Sequence, residues 1–115
     1  MEKEVILGDK KLILKSSLYS LIDYNSRFGS ELFNDIKKLE NTKEENITNV
    51  IEIIFRIVFV LSNPKENETF KGFLEKLDFS ILNDATLLTN LTNTIVELLK
   101  TDKKAGGNKG DTFRQ

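Results

Sequence analysis

An apolar run from Val50 to Leu61, interrupted only by Glu52 and Arg56, limits the choice of fold more than any other feature of the chain. A membrane-spanning helix needs about 20 predominantly apolar residues, so the run is too short, and two charges near its middle are costly in lipid. Glutamate precedes arginine by four residues, which suits an ion pair on one helix face. The run therefore predicts a central helix buried on two or three sides. Its solvent-facing stripe is expected to comprise Glu45, Asn49, Glu52 and Arg56.

Two residue types that carry much of enzyme chemistry are missing, because the 115-residue chain contains no cysteine and no histidine. Disulfides and thiolate sites are thereby excluded, and so are the serine–histidine and cysteine–histidine nucleophile pairs. Histidine is also the commonest metal ligand, and the acidic residues do not follow a calcium-loop spacing. We therefore expect a protein that is not an enzyme, with no catalytic residue, no metal site and no cofactor.

The charge of the chain gives no indication of a nucleic-acid or lipid partner. The formal net charge is −1, which supplies no bulk attraction to phosphate backbones or anionic membranes. A basic stripe with interleaved aromatic residues is also missing. The N-terminus lacks the apolar segment and cleavage site of a secretory signal. We expect no nucleic-acid partner and no membrane partner.

A small β-hairpin is predicted at the N-terminus, because two short β-rich runs flank Gly8 and Asp9 and glycine supplies the positive φ of a tight turn. About five helical segments follow, each with apolar residues at helical spacing. The expected N-caps are Ser16 or Ser17, Ser30, Thr69, and Asn83 or Asp84. Gly29 is expected to end the first helix, and Pro64 to stop the third.

The apolar stripes of these helices are expected to face a common core. They comprise Leu18, Leu21, Ile22 and Phe28 in the first helix, Leu32, Phe33, Ile36 and Leu39 in the second, Phe70, Phe73, Leu74 and Leu77 in the fourth, and Leu87, Leu88, Leu91, Ile95, Leu98 and Leu99 in the last. The predicted fold class is mainly α (α+β), a small N-terminal β-hairpin packed on a bundle of about five helices. A single helical domain is expected over residues 1–100, and a flexible glycine-containing tail over residues 101–115.

The amount of apolar surface in these helices leaves two interpretations open. Beside the stripes lie further large apolar residues, namely Tyr24, Phe59, Phe79 and Ile81. One interpretation is a well-filled core, since buried helices have this composition. The other is that part of the surface binds a partner helix or a second copy of the chain.

The order of segments carries a family resemblance. A hairpin with a glycine turn leads into "LYSLIDYNSRFGSELFNDIKKLE", a central apolar helix follows, and "ETFKGFLEKLD" precedes the closing helix. The first helix ends in the aromatic–glycine step Phe28–Gly29. The later segment contains a threonine, two phenylalanines and two leucines in the order Thr69, Phe70, Phe73, Leu74 and Leu77. In these features the chain resembles the tail assembly chaperones of long-tailed bacteriophages, over roughly residues 3 to 100.

The resemblance implies a non-catalytic role in assembly. Such chaperones bind the long tape measure protein and keep it soluble while tail tube subunits polymerise around it. A frameshifted longer form would add a domain that recruits the tail tube protein, and Lys103–Lys104 lie where such a shift would fall. A homo-oligomer is a further expectation. The implied location is the host cell cytoplasm, with the protein absent from the mature virion.

A partner helix is expected to lie in an apolar groove of the third and last helices, with many weak sites along one long partner giving avidity. The residues expected to contact the partner are Ile53, Phe59, Leu88 and Ile95. The competing interpretation is a small phage or plasmid interaction module, such as a host-factor inhibitor or an antitoxin-like binder. A gene just upstream of a very long tape measure gene would favour the chaperone, and a gene beside an early promoter would favour the inhibitor.

Overall fold

The fold is an N-terminal hairpin followed by five α-helices, as the sequence predicted. The computed structural model describes residues 2–41 and 47–105. In chain order the elements are β1 (Glu2–Leu7), β2 (Lys10–Lys15), α1 (Leu18–Phe28), α2 (Leu32–Asn41), α3 (Ile47–Leu61), α4 (Phe70–Glu75), a 3₁₀ helix (Phe79–Asn83) and α5 (Leu87–Ala105). The mainly α class with a small hairpin is thereby confirmed.

The hairpin is antiparallel, with Val5 opposite Leu12 in the register. Its turn contains Gly8 at φ 67°, the left-handed conformation that glycine adopts without strain. A Cβ atom at this position would lie 3.2 Å from Cγ2 of Ile81, so the turn also packs closely against the 3₁₀ helix. One face of the hairpin, which includes Val5, Leu7 and Leu14, is buried against the helices, and the other is exposed.

Helix α3 is the centre of the domain, since it packs against α1, α2, α4, α5 and β2. Ile54, Ile57 and Val58 are fully buried in this helix. Glu52 and Arg56 form the predicted ion pair, with 2.8 Å between Oε2 and Nη2. Asn49 and Glu52 are exposed, as predicted, whereas Arg56 is half-buried and Glu45 lies outside the described residues. Among the described helices, none is long and apolar enough to cross a membrane.

Helix α1 has the predicted ends but not the predicted buried face. The helix begins after Ser17, whose N–H donates to Ser20 Oγ at 3.2 Å, and it ends at Gly29, where φ is 67°. The prediction that Leu18 and Ile22 face the core is wrong, because both side chains are exposed. The buried residues of the helix are instead Ser20, Asp23 and Tyr24. Burial of such polar groups is tolerated where they form hydrogen bonds or ion pairs.

Helix α2 turns most of its predicted stripe inward. Leu32 and Ile36 are buried and Leu39 is half-buried. Phe33 was predicted to face the core but is exposed, because the buried sector includes Asp35 instead. The helix begins at Leu32, two positions after the predicted cap at Ser30.

The C-terminal half confirms one predicted cap and corrects the predicted start of the last helix. Thr69 caps α4 as predicted, since its Oγ1 accepts a hydrogen bond from the Gly72 N–H at 3.0 Å. The last helix does not begin at Asn83 or Asp84, because Asp84 Oδ1 accepts from the Thr86 N–H at 2.9 Å and holds a turn there. Helix α5 therefore starts at Leu87, and it continues through Ala105 into the segment predicted to be a tail. Residues 106–115 of that tail lie outside the described residues.

Candidate binding surfaces

The four residues predicted to contact a partner do not form an accessible surface in the folded domain. Ile53, Phe59 and Ile95 are all in the core, and Phe59 is only 2% exposed. Leu88 is half-buried. The physical reason is the central position of α3, whose apolar circumference is covered by four helices and a strand. The prediction that these residues form an accessible surface is therefore wrong for the folded domain, where exposed apolar side chains lie on peripheral elements.

The outer half of helix α1 provides such residues. Leu18 is 83% exposed, Ile22 is 63% exposed and Tyr19 is 61% exposed. Leu18 and Ile22 are four residues apart and Tyr19 and Ile22 are three apart, so the three side chains lie on one face of the helix. We call this set the α1 outer face. It is a row of large apolar side chains presented to solvent on a regular element.

A buried polar contact fixes the opposite side of α1 against the core. The Tyr24 hydroxyl donates to Asp35 Oδ2 at 2.6 Å, which joins α1 to α2. Burial, together with this carboxylate as the acceptor, raises the pKa of Tyr24 well above its ordinary value, so the hydroxyl keeps its proton. Because Tyr24 lies about 120° from Leu18 and about 160° from Ile22 around the helix, holding Tyr24 inward keeps the α1 outer face outward.

Arginine and phenylalanine side chains join α1, α3 and α4. The Phe28 ring contacts Phe70 at 5.3 Å between centroids, and Phe59 contacts Phe73 at 5.2 Å. The Arg27 guanidinium lies 5.0 Å from the centre of the Phe59 ring. A second pair, Arg56 over Phe28, has a matching separation of 4.9 Å. Cations above aromatic faces stabilise such clusters through the ring quadrupole. We call Phe28, Phe59, Phe70 and Phe73 the aromatic cluster.

Two adjoining cavities, each of about 230 Å³, lie beside the aromatic cluster. Phe59 and Phe73 line both of them. The first cavity continues to Leu12 of the hairpin and has Lys10 and Lys76 among its lining residues. The lining of the first cavity is thus mixed, since apolar side chains and the two lysines both contribute to it. Within the ranges that the structure describes, no group of three or more acidic residues lies close enough together to hold a metal ion.

The remaining exposed apolar side chains are distributed over other elements. Phe79 of the 3₁₀ helix is 84% exposed, and Ile6, Ile13, Phe33 and Ile47 are also open to solvent. Single exposed apolar residues are ordinary on protein surfaces. The α1 outer face differs because three of them share one helix face. The interpretation of a well-filled core is thus confirmed for Tyr24 and Phe59, whereas α1 keeps apolar side chains outside, and their binding to a partner stays a prediction.

Sequence reasoning missed the α1 outer face because the apolar stripe of α1 was assigned to the core. A signal was nevertheless present in the opposite sector of the helix, where Ser20, Asp23, Tyr24 and Arg27 recur at helical spacing. Comparison of the chain with protein-family models, curated proteins and solved structures gives no match. The candidate surfaces are accordingly defined by the geometry of the chain itself.

Proposed function

We propose that the protein is a non-catalytic chaperone that binds an apolar helical segment of a longer partner through the α1 outer face. The observation that carries the proposal is the exposure of Leu18 and Ile22, at 83% and 63%, on a helix whose other side is fixed by the Tyr24–Asp35 hydrogen bond. Amphipathic helices are recognised through apolar anchors at i, i+3, i+4 and i+7. Leu18, Tyr19 and Ile22 provide one i, i+4 pair and one i, i+3 pair, so α1 can pack its apolar stripe against that of a partner helix.

The partner that we propose is the tape measure protein of a long-tailed bacteriophage. The support is the resemblance in segment order described above, together with the exposed helical stripe that a helix-binding chaperone requires. A longer form of the chain would add contact with the tail tube protein, and copies on one partner would associate with each other. Such a chaperone acts in the host cell cytoplasm before the tube closes, and it is absent from the finished virion.

The energetics favour many weak contacts over a single tight one. Burial of one large aliphatic side chain contributes about 1.5–3 kcal/mol, and association costs at least about 4 kcal/mol of lost translational and rotational freedom. Three side chains on one copy therefore give modest affinity. Several copies along one long helical partner gain avidity without new contacts, because each later copy binds at high effective concentration. Weak individual sites also allow tube subunits to displace the chaperone.

The test is co-expression of the full chain with the tape measure protein from the same genome, followed by measurement of its solubility and co-purification. The wild-type chain is expected to raise the soluble fraction several-fold and to co-purify with the partner. The double variant Leu18→Glu/Ile22→Glu is expected to lose both effects, since charge replaces the apolar anchors. Its melting temperature should change little, because surface substitutions are usually within about 0.5 kcal/mol.

The matched control is Ile6→Glu, another change from an exposed aliphatic residue to glutamate. Ile6 lies opposite Lys11 in the hairpin, so the new carboxylate has a cation across the strand. This variant is expected to behave as wild type. Full activity of Leu18→Glu/Ile22→Glu would show that another surface binds the partner. A tape measure protein that stays insoluble and unbound with the wild-type chain would contradict the chaperone proposal and favour the interaction-module alternative.

A further inference from the structure

We propose that residues 64–77 form a flap that opens as a unit, and that the surface beneath it binds an amphipathic helix with the aromatic spacing of α4. The flap comprises the loop after α3 and the whole of α4. It covers Phe59, which is 2% exposed in the closed domain. This inference is independent of the α1 outer face and of the identity of the partner proposed above.

The flap packs loosely against the rest of the molecule. Helix α4 contains no fully buried residue, and its Phe70 and Phe73 side chains are only half-buried. The two cavities of about 230 Å³ are lined both by flap residues and by Phe59 beneath them. Incomplete burial and adjacent cavities both reduce the dispersion contacts that hold an element in place. Elements of this kind open at lower free energy than the core.

Arg27 of α1 attaches the flap through two hydrogen bonds. Arg27 Nη1 donates to the Glu68 carbonyl at 2.7 Å, and Nη2 donates to the Lys65 carbonyl at 3.1 Å. The same guanidinium pairs through Nε with both oxygens of Asp23, at 3.0 and 3.1 Å, and lies over the Phe59 ring. The planar fork of arginine donors makes these contacts at once, which a lysine ammonium does not do. We call the two carbonyl contacts the Arg27 latch.

Local contacts make the flap one unit and give it a defined hinge. Glu68 Oε1 accepts from the Lys65 N–H at 2.6 Å and Thr69 caps α4, so the loop and helix are tied to each other. Immediately before the flap, Asn63 has φ 59°, a left-handed conformation that asparagine tolerates better than most residues. Hinges are loop or element-terminal residues that absorb changes of φ and ψ, and Asn63 follows the end of α3.

The contacts that α4 makes in the closed domain indicate which kind of partner the surface beneath the flap would bind. The rings of Phe70 and Phe73, three residues apart, lie against Phe28 and Phe59 respectively. A partner helix with aromatic or large aliphatic residues at the same spacing would find the same rings, with Arg27 and Arg56 above them. The occupant that the surface fits is therefore an amphipathic helix that takes the place of α4.

Hydrogen exchange of the full chain tests the opening. The Phe73 and Leu77 amides, which donate within the flap, are expected to exchange at least tenfold faster than the amides of buried α3. Arg27→Lys keeps a cation beside Asp23 but lacks the planar fork, so flap exchange should accelerate by roughly another tenfold, the effect of about one charge-assisted hydrogen bond. Lys11→Arg is the control, since Lys11 pairs with Glu4 within the hairpin and contacts neither the flap nor the aromatic cluster, and it should leave the flap rate near wild type.

A fluorescent synthetic peptide with the sequence of residues 69–78 tests the binding, because it contains neither Glu68 nor Lys65, whose carbonyls accept from Arg27. It should bind the Arg27→Lys chain several-fold more tightly than wild type, because the apparent Kd falls as the open fraction rises. The same peptide with alanine in place of both phenylalanines should not bind. Flap amides that exchange only together with those of α3, in wild type and Arg27→Lys alike, would overturn the flap. Equal peptide binding by the two proteins, or none, would overturn the helix-binding surface.

Discussion

At the scale of single residues, the Tyr24–Asp35 hydrogen bond does most to determine which surface of the molecule is presented. Both residues are buried, and 2.6 Å separates the hydroxyl from the carboxylate oxygen. A buried carboxylate requires such a donor, because leaving it without a partner costs several kcal/mol. Lys38 Nζ lies 3.5 Å from the other oxygen of Asp35. The pair therefore holds α1 in the orientation that leaves Leu18 and Ile22 outside.

We predict that Tyr24→Phe lowers the free energy of unfolding at pH 7 by about 1.5–3 kcal/mol, the usual contribution of a hydrogen bond to a charged group. The pH dependence follows from the raised pKa of Tyr24. The unfolded tyrosine ionises at about pH 10, the ordinary pKa of the phenol, while the folded one keeps its proton. Its stabilising contribution is thus fully present below pH 10 and is lost as pH rises toward the folded pKa.

Urea unfolding from pH 7 to pH 11 provides the measurement. The informative quantity is the difference between variants that each lack one phenolic hydroxyl. Tyr19→Phe is the control, because Tyr19 is 61% exposed and should retain the wild-type alkaline slope. Tyr24→Phe should have a shallower slope above pH 10. Equal slopes for the two variants would mean that the buried hydroxyl does not link folding to pH.

At the scale of elements, the sequence correctly predicted the features that depend on the local chemistry of one residue. The hairpin turn at Gly8, the end of α1 at Gly29 and the cap of α4 at Thr69 all depend on one residue's own backbone or side chain. The start of α5 was missed because Asp84 binds the Thr86 N–H and forms a turn where a cap was expected. Cap residues and turn residues are the same types, so composition alone does not separate them.

The buried face of α1 was not predictable from periodicity. Leu18 and Ile22 form one sector of the helix, and Ser20 with Tyr24 forms the opposite one. The choice between the sectors depends on Asp35, which belongs to a different helix and provides the acceptor for Tyr24. Tertiary contacts therefore override the local pattern. The candidate site was missed for the same reason, since it consists of the apolar residues that this choice leaves outside.

Two glycines with the same backbone conformation give a further prediction about elements. Gly8 and Gly29 both have φ 67°, but a Cβ at Gly8 would lie 3.2 Å from Ile81, whereas Gly29 has open space around it. Gly29→Ala should lower the free energy of unfolding by about 1–2 kcal/mol, the strain of an alanine in this conformation. Gly8→Ala should cost more, because the turn must also move away from the 3₁₀ helix.

Denaturant unfolding of the two variants measures this difference. The additional loss of unfolding free energy in Gly8→Ala, relative to Gly29→Ala, reports the contact between the hairpin turn and Ile81, since backbone strain is common to both substitutions. Removal of the contact in the double variant Gly8→Ala/Ile81→Ala should relieve that additional loss. Equal losses for Gly8→Ala and Gly29→Ala would mean that the turn moves away from Ile81 freely, and that the two elements are not closely packed there.

At the scale of the whole molecule, the central helix and the peripheral elements have different roles. Helix α3 contacts all four other α-helices and β2, so its apolar surface is used for folding. The candidate surfaces lie on α1 and beneath α4, elements that surround this centre. A partner that bound α3 anywhere except at Phe59 beneath the flap would have to compete with the core itself. Binding by the periphery, including a flap that opens, leaves the centre intact.

This division predicts a large contrast between two isoleucines of α3. Ile57 is fully buried at the centre, whereas Ile47 is 50% exposed at the start of the helix. Ile57→Ala should lower the free energy of unfolding by about 2–5 kcal/mol, because it leaves a cavity where several elements meet. A domain of this size has only about 5–15 kcal/mol in total, so the loss approaches the limit of folding. Ile47→Ala should stay within about 1 kcal/mol.

Thermal and urea unfolding make the comparison, each followed by far-UV circular dichroism and by tyrosine fluorescence in a Tyr19→Phe background, where Tyr24 is the remaining tyrosine. If α3 unites the elements into one cooperative unit, the two probes should report the same unfolding midpoint in each protein. That midpoint should be lower in Ile57→Ala than in wild type. The flap is compatible with this behaviour, because its opening leaves α3 covered on its other sides. Separate transitions for the two probes would mean that the hairpin and helices fold independently of the centre, and the binding surfaces would then not share one scaffold.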